Sequence, residues 1–306
     1  MLGLSSPPPT KAPMSNWSYR LRKLREHPRP GRFILGRILW RSGLSPLFVR
    51  EMPRGFRVRF YPTSISAALW SDPRSRTEDE DFVWAVLRPG DRYIDAGANI
   101  GQLALAASKR VGPEGEVIAI EAHPEIHGYL EGNVELNRAG NLRTLNYALG
   151  ANRGEVAMTS RRSDDQNFVT EEGELRVPMR TLDELVAVRP TRLLKIDVEG
   201  CELPVLQGAA AILDETELVY CELSTGNCRR FGYEPQEVEQ LLLQKGFVFI
   251  RSDDGGQPQV TASPYFSSLP FEALPATGYN LVAVRPQVSA EVLRMLSAEG
   301  WFARSA

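Results

Sequence analysis

Cysteine and histidine are scarce in this 306-residue chain, three of each. Cys201, Cys221 and Cys228 stand at no metal-ligand spacing and form no even disulfide framework, so a reduced, cytoplasmic location is the expectation. His27 falls in a basic stretch, His127 on a helix face and His123 beside Glu121, which argues against a histidine general base. An excess of charge of either sign is also missing. With 36 Lys and Arg against 38 Asp and Glu, the net charge of -2 excludes nucleic acid as a general partner, because phosphate binding shows as a basic surplus. No run approaches the ~20 apolar residues needed to cross a bilayer. The nearest, FILGRILW at 33–40, is interrupted by Arg37 and reads as a short amphipathic helix. The opening MLGLSSPPPTKAP is too polar and proline-rich for the apolar core of a signal peptide.

An apolar fraction of 42% suffices for a packed core. Ser, Pro and Thr dominate residues 1–16, where disorder is expected. Residues 17–78 read as a basic extension with one short helix and one strand, 79–285 as the main domain and 286–306 as a C-terminal helix. From Tyr19 to Arg59 there are twelve Lys and Arg against two acids, Glu26 and Glu51. That bias suits a peripheral membrane contact, and equally a solvated basic extension, which is the plainer reading.

From Asp91 onward, short runs rich in β-branched residues alternate with helical periodicity, the pattern of an α/β fold whose parallel sheet is covered by helices. Strands are expected at RYIDAG, EVIAIEA, LRTLNYAL, LLKIDVEG, LVYCELS, FVFIRS and NLVAVRP, with helices at 100–110, 124–139, 202–213 and 234–245. Residues 154–180 break the rhythm as two β-like pieces around a polar tip that carries Asp164, Asp165 and Phe168. A second irregular stretch, 253–280, carries Tyr265, Phe266 and Phe271. Loops this long serve as lids or binding elements, and these aromatics suit either an acceptor pocket or the core.

In YIDAGANIGQ (93–102) a strand runs through Asp95 into a glycine turn and then a helix. Gly97 and Gly101 permit a sharp turn and a close ligand approach. Position 99 is Asn, so the dinucleotide spacing G-x-G-x-x-G is not met. A carboxylate at the strand end would also repel the pyrophosphate that a helix N-terminus holds. S-adenosyl-L-methionine, with an ammonium, a sulfonium and no phosphate, turns this repulsion into attraction. Asp95 would then lie near its ammonium, and Gly97, Asn99 and Gly101 would line the amino-acid portion. Glu121, about twenty residues on at the end of the second strand, would accept the ribose hydroxyls, with His123 on the adenosine side.

Four blocks in order, DAGANIGQ (95–102), VIAIEAHPEIHGYLEGNVELN (117–137), VPMRTLDEL (177–185) and LLKIDVEGCELPVLQGA (193–209), resemble the FkbM family of S-adenosylmethionine-dependent methyltransferases. The resemblance spans about 79–285. It implies a Rossmann-like class I methyltransferase fold: a seven-stranded, mostly parallel sheet with one antiparallel edge strand and helices on both faces. It also implies methyl transfer, usually to a hydroxyl of a sugar, polyketide or other small metabolite.

Deprotonating such a hydroxyl calls for a base or a metal. Asp197 and Glu199 close the fourth strand and Glu222 the fifth, at the carboxyl end of the sheet where ligands of open α/β folds bind. If the strand continues, 197 and 199 point the same way. Asp197 is expected near the cofactor methyl and the acceptor, with Glu199 or Glu222 as base. A divalent ion such as Mg2+ on these oxygens is the disfavoured alternative, since the spacing matches no metal signature. Lys195 reads as an ion-pair partner, Glu202 as charge at a helix N-terminus, and Asn133 and Asn137 as braces for a neighbouring loop. The acceptor is expected to be a small molecule or glycan, with room for a homodimer. A cofactor-binding module without transfer and an NAD-dependent oxidoreductase are the competing readings.

Overall fold

In the computed structural model, residues 29–75, 77–159, 173–252, 257–264 and 279–301 are described. The expected acceptor-side residues Asp164, Asp165, Phe168, Tyr265, Phe266 and Phe271 lie outside these residues, as do His27 and 1–16. The chain enters through helix α1 (Pro30–Arg41), the hairpin β1 (Val49–Glu51) and β2 (Arg57–Arg59), and helices α2 (Ser64–Ser71) and α3 (Thr77–Val86). Next come β3 (Arg92–Ala96), α4 (Gln102–Val111), β4 (Glu116–Ile120), α5 (Pro124–Asn137) and β5 (Leu142–Leu145). A small side sheet follows, made of β6 (Ala148–Leu149), β7 (Gly154–Met158) and β8 (Leu175–Arg180). After α6 (Leu182–Leu185), the main sheet resumes with β9 (Thr191–Ile196), α7 (Glu202–Gln207), α8 (Ala210–Asp214) and β10 (Thr216–Leu223). The chain then runs through α9 (Thr225–Arg230), α10 (Pro235–Gln244), β11 (Val248–Ser252), β12 (Pro258–Thr261), β13 (Tyr279–Val284) and α11 (Pro286–Ala298).

The main sheet has the order β12-β11-β13-β10-β9-β3-β4-β5. It therefore has eight strands where seven were expected. The added β12 comes from PQVT, within the stretch read as irregular; it is short and opens on Pro258. The antiparallel strand also sits differently: β13 runs antiparallel between β10 and β11, inside the sheet rather than at its edge, and β12 takes the edge beyond β11. Strands β10, β9, β3, β4 and β5 are parallel neighbours. From β3 the chain winds outward through β4 to β5, then returns to the other side of β3 with β9. The crevice between β3 and β9 is thus the topological switch point, where ligands of such sheets bind.

Alternate residues of the buried strands feed two cores. Tyr93, Leu193, Leu218 and Tyr220 face a cluster with α3, α4 and α11. Ile94, Leu194, Ile196 and Val219 face the other, with α7, α8 and α10. Met52, Phe56, Val58 and Leu69 belong to the first cluster, so the hairpin and α2 share the core of the sheet domain rather than trailing from it. Arg54, from the hairpin turn, pairs with Glu80 at 3.3 Å and Asp81 at 2.5 Å on α3. The single helix expected over 202–213 is two. The C-cap of the first, Gly208, is where a Cβ would come within 2.2 Å of the Gly150 carbonyl oxygen.

Candidate active site

The strand β3 ends in a turn that only particular residues can make. Gly97 has φ +83°, and a Cβ there would lie 1.8 Å from the carbonyl oxygen of Asp197. Asn99 follows with φ +50°, a conformation asparagine tolerates better than most residues. Its side-chain oxygen accepts the Ile100 N–H at 2.8 Å. Gly101, φ +88°, opens α4. The turn is fastened to both neighbouring strands: Gly97 and Ala98 donate to the Ile120 carbonyl, and Asp197 N–H donates to the Ala96 carbonyl.

Glu121 completes this fastening. One carboxylate oxygen accepts the Asn99 N–H and the other the His123 N–H, both at 2.9 Å. Each oxygen keeps further acceptor capacity, so the geometry still suits a pair of hydroxyls. Burial pushes the Glu121 carboxyl up to about 7, against the pull of those two N–H groups. His123 is buried with neither ring nitrogen hydrogen-bonded, and burial holds its pKa below the ordinary histidine value. His127 instead faces Glu131 along α5 at 3.7 Å.

Register sets the central charges. Asp95 and Lys195 are Cα partners across β3 and β9, and Tyr220 of β10 is the next in that row. Lys195 Nζ lies 3.4 Å from Asp95 and 3.2 Å from Asp197, and donates to the Gly97 carbonyl at 3.1 Å. This is the ion-pair role expected of it. Burial works against its charge, but the carboxylates of Asp197 and Asp95 prevail and raise its pKa. Asp95 is fully buried, and neither of its oxygens meets a partner at ordinary hydrogen-bond geometry, its polar neighbours being Lys195 and the Tyr93 hydroxyl. Burial raises its pKa, with Lys195 opposing.

The expected pairing of Asp197 and Glu199 along one strand is not what forms. Strand β9 stops at Ile196, and Glu199 takes a left-handed backbone, φ +55°, with its carboxylate accepting from Asn227 Nδ2 at 2.9 Å. Both nevertheless reach the same pocket as Glu222. Repulsion from Asp197, then burial, lifts Glu222 to about 7. Glu202 does more than charge a helix end. It is buried, accepting the Gly200 N–H at 2.9 Å and the Tyr233 hydroxyl at 2.8 Å, which fixes the loop that carries Glu199.

One cavity brings together Asp95, Gly97, Asn99, Glu121, His123, Asp197, Glu199 and Glu222, while Gly101 sits just behind it in the turn. The residue that sequence reasoning missed is Asp79, treated only as acidic first-turn charge of α3. Its carboxylate faces the cavity and accepts the Tyr220 hydroxyl at 2.5 Å and Asn280 Nδ2 at 3.3 Å. Phe82, one turn along α3, stacks on the same Tyr220 with ring centroids 4.1 Å apart. No local signal could have found Asp79, whose partners are 141 and 201 residues away. Tyr147 and Met158, from the side-sheet region, and Ile65 of α2 close the walls. Among the described residues no group of three or more His, Cys, Asp or Glu is arranged to hold a metal ion.

The chain is 28% identical over 170 residues to the hexuronic acid methyltransferase AglP of Haloferax volcanii, covering 54% of this chain and 62% of that one, so it spans less than two thirds of that relative. It is 29% identical over 205 residues to Methyltransferase 1 of Beauveria bassiana, covering 56% and 79%. Among solved structures, an S-adenosylmethionine-dependent O-methyltransferase from Thermotoga maritima aligns with a TM-score of 0.41 at 14% identity, covering 80% of each chain. The family model for the methyltransferase FkbM domain matches residues 95–249, from the glycine turn through all three strand-end carboxylates. The chain belongs to the FkbM methyltransferase family.

Proposed function

We propose that this protein transfers a methyl group from S-adenosyl-L-methionine to a hydroxyl of a small metabolite or glycan. The observation that carries the reading is the charge of the cavity: among the described residues, Asp79, Asp95, Glu121, Asp197, Glu199 and Glu222 line it against one cation, Lys195. A nicotinamide dinucleotide, with its pyrophosphate, would meet repulsion there. S-adenosylmethionine supplies a transferable methyl group on a cationic sulfur. The residues fit it: Asp95 offers two buried oxygens without a partner at ordinary hydrogen-bond geometry, the turn at Gly97 admits no side chain, and Glu121 retains acceptor capacity.

In this reading Asp95 and the Gly97–Gly101 backbone hold the amino-acid end, Glu121 the ribose and His123 the adenosine side. Glu222 is the general base. A carboxyl group near 7 is half ionised at neutral pH, and its proton affinity lies closer to that of a hydroxyl than an ordinary carboxylate's does. It takes the acceptor proton as that oxygen takes the methyl group. Asp197 orients the acceptor and keeps Glu222 basic, and Glu199, engaged by Asn227, serves the acceptor wall. The hexuronic acid named for the Haloferax relative supports a sugar as one class of acceptor.

Calorimetric titration with S-adenosylmethionine, S-adenosylhomocysteine and NAD tests the cofactor half. Binding of the two adenosyl ligands without NAD, weakened about ten- to hundredfold by Asp95→Ala, is expected from the loss of one charged hydrogen-bond acceptor. Binding of NAD, or adenosyl binding indifferent to Asp95→Ala, would overturn it. Transfer of labelled methyl groups to a panel of sugars and hydroxylated metabolites then separates an enzyme from a cofactor-binding module.

A further inference from the structure

Nine large apolar side chains are exposed among the described residues, and seven of them fall within one short stretch: Ile34, Leu35, Ile38, Leu44, Leu47, Phe48 and Val49. Helix α1 is turned inside out. Its buried positions are Gly36 and Leu39, and the side facing away from them holds Ile34 and Ile38, with the exposed Leu35 between that side and Leu39. At 100° per residue, Arg37 and Arg41 run along one side of that apolar stripe, while the exposed Arg32 lies at the start of the helix on the side of Gly36. The 3-10 turn at Ser45–Leu47 extends the patch, with Leu47 at 75% exposure. The inward side explains the orientation. A Cβ at Gly36 would lie 3.0 Å from Trp70 of α2, whose ring stacks on Phe60 and meets Phe48 edge-on. The helix is thus seated on Gly36 and Leu39, with Ile34 and Ile38 left outward.

The surroundings are positive. Burial, then the charges of Arg32 and Arg29, depress the pKa of nearby Arg50. Arg29 pairs with Asp72 at 3.3 Å. The sequence just before α1 adds Arg20, Arg22, Lys23 and Arg25 against Glu26. No helix of the described residues is long and apolar enough to cross a membrane. We propose that this patch is a docking surface for an anionic lipid bilayer, with the apolar stripe entering the interface and the arginines meeting the headgroups. An apolar face rimmed by arginine is the composition of helices that lie in the plane of an interface. A second copy of the chain fits less well, since a two-fold contact would set this arginine cluster against itself. The surface adjoins the cavity, because α2 carries Trp70 beneath the patch and Ile65 in the cavity wall.

Co-sedimentation of the full chain with vesicles of phosphatidylcholine alone, and with about a third of phosphatidylglycerol, reads this directly. Binding to the anionic vesicles alone is expected. It should weaken at least about tenfold in Ile34→Ser/Ile38→Ser/Leu47→Ser. It should weaken about fivefold for each charge removed in Arg37→Gln/Arg41→Gln. Thermal melting of both variants checks the fold, which exposed substitutions should spare. Absence of binding to anionic vesicles would overturn the proposal, as would binding unchanged by the apolar triple variant. Self-association in sedimentation velocity that this variant abolishes, without vesicle binding, would give the patch to a second copy and overturn it too.

Discussion

Arg92 and Asp95 stand three residues apart on one buried strand, yet their surroundings differ in kind. At the amino end of the sheet, Arg92 donates to Glu116 at 2.8 Å and Thr191 at 3.2 Å. Arg192, on the neighbouring strand, donates to Glu217 at 2.6 Å, Glu291 at 2.7 Å and the Val86 carbonyl at 3.1 Å. At the carboxyl end, Asp95 has no partner at ordinary hydrogen-bond geometry and three strand-end acids crowd one lysine. Burying a charge is costly unless it is paired and hydrogen-bonded. The amino end meets most of that cost within the protein, although Arg92 Nη2 is left without a partner. The carboxyl end leaves it unmet, which is the condition of a site built for a ligand that is not part of the chain.

Glu222→Gln should show the difference most strongly. Methyl transfer is expected to fall by about 10²–10⁴, the worth of a positioned general base, while S-adenosylmethionine binding persists. The pH dependence of the wild type should rise through about 7 and flatten in the variant. Stability should move the other way. The folded pKa of Glu222 lies above its unfolded value near 4.5, so its contribution is fully present below about 4.5 and is lost as pH rises through about 7. The Gln variant escapes that loss. It should be more stable than the wild type by about 1 kcal/mol at pH 8, after discounting for partial exposure, and equal to it near pH 4.5. Thermal melts at the two pH values decide this, and a destabilised variant at pH 8 would mean that Glu222 is structural.

Arg192→Met tests the other end. It strips charged hydrogen bonds from Glu217 and Glu291 and leaves the Val86 carbonyl unpaired, at a cost of about 2–3 kcal/mol, because both acids stay partly in water. Cofactor affinity and the turnover of the folded fraction should not change. Denaturant unfolding alongside calorimetric titration measures both, and a weakened cofactor affinity would break the division between the two ends.

What was legible in the sequence follows the same division. Strands with two buried faces write themselves as unbroken β-branched runs, and the glycine turn is local, so β3, β4, β9, β10 and β13 and the acids at their ends could be read directly. The pairing that makes those acids a site could not. The row Asp95, Lys195, Tyr220 is set by register between strands about a hundred residues apart, and Asp79 joins it from a helix that periodicity marks only as amphipathic. Glu199 was misjudged for a related reason: an i, i+2 spacing implies a shared face only while the strand lasts, and β9 ends at Ile196. The β12 edge strand escaped because it is four residues long and opens on a proline.

The smallest expected effect separates fold from site within a single helix. Asn133 and Asn137 were read as braces, and on α5 they stand in for a strand beside β2. Asn137 accepts the Arg57 N–H and donates to the Arg57 carbonyl, each at 2.7 Å, and Asn133 accepts the Arg59 N–H at 2.9 Å. Of the two, Asn133 is wholly buried, and its amide reaches the glycine turn, donating to the Ile100 carbonyl at 2.9 Å. Asn137→Ala should therefore cost about 1 kcal/mol, near the net worth of exposed hydrogen bonds, and leave S-adenosylmethionine affinity unchanged. Asn133→Ala should cost about 1–3 kcal/mol, because it orphans a turn carbonyl and a strand N–H. It should also weaken the cofactor about threefold, through a looser turn rather than a lost contact, as expected when a supporting residue slackens a preorganised site. Calorimetry on the pair distinguishes the cases: equal affinities would place the turn's rigidity entirely in Gly97 and Glu121, and equal losses would mean that the hairpin as a whole, not the Ile100 contact, holds the site in shape.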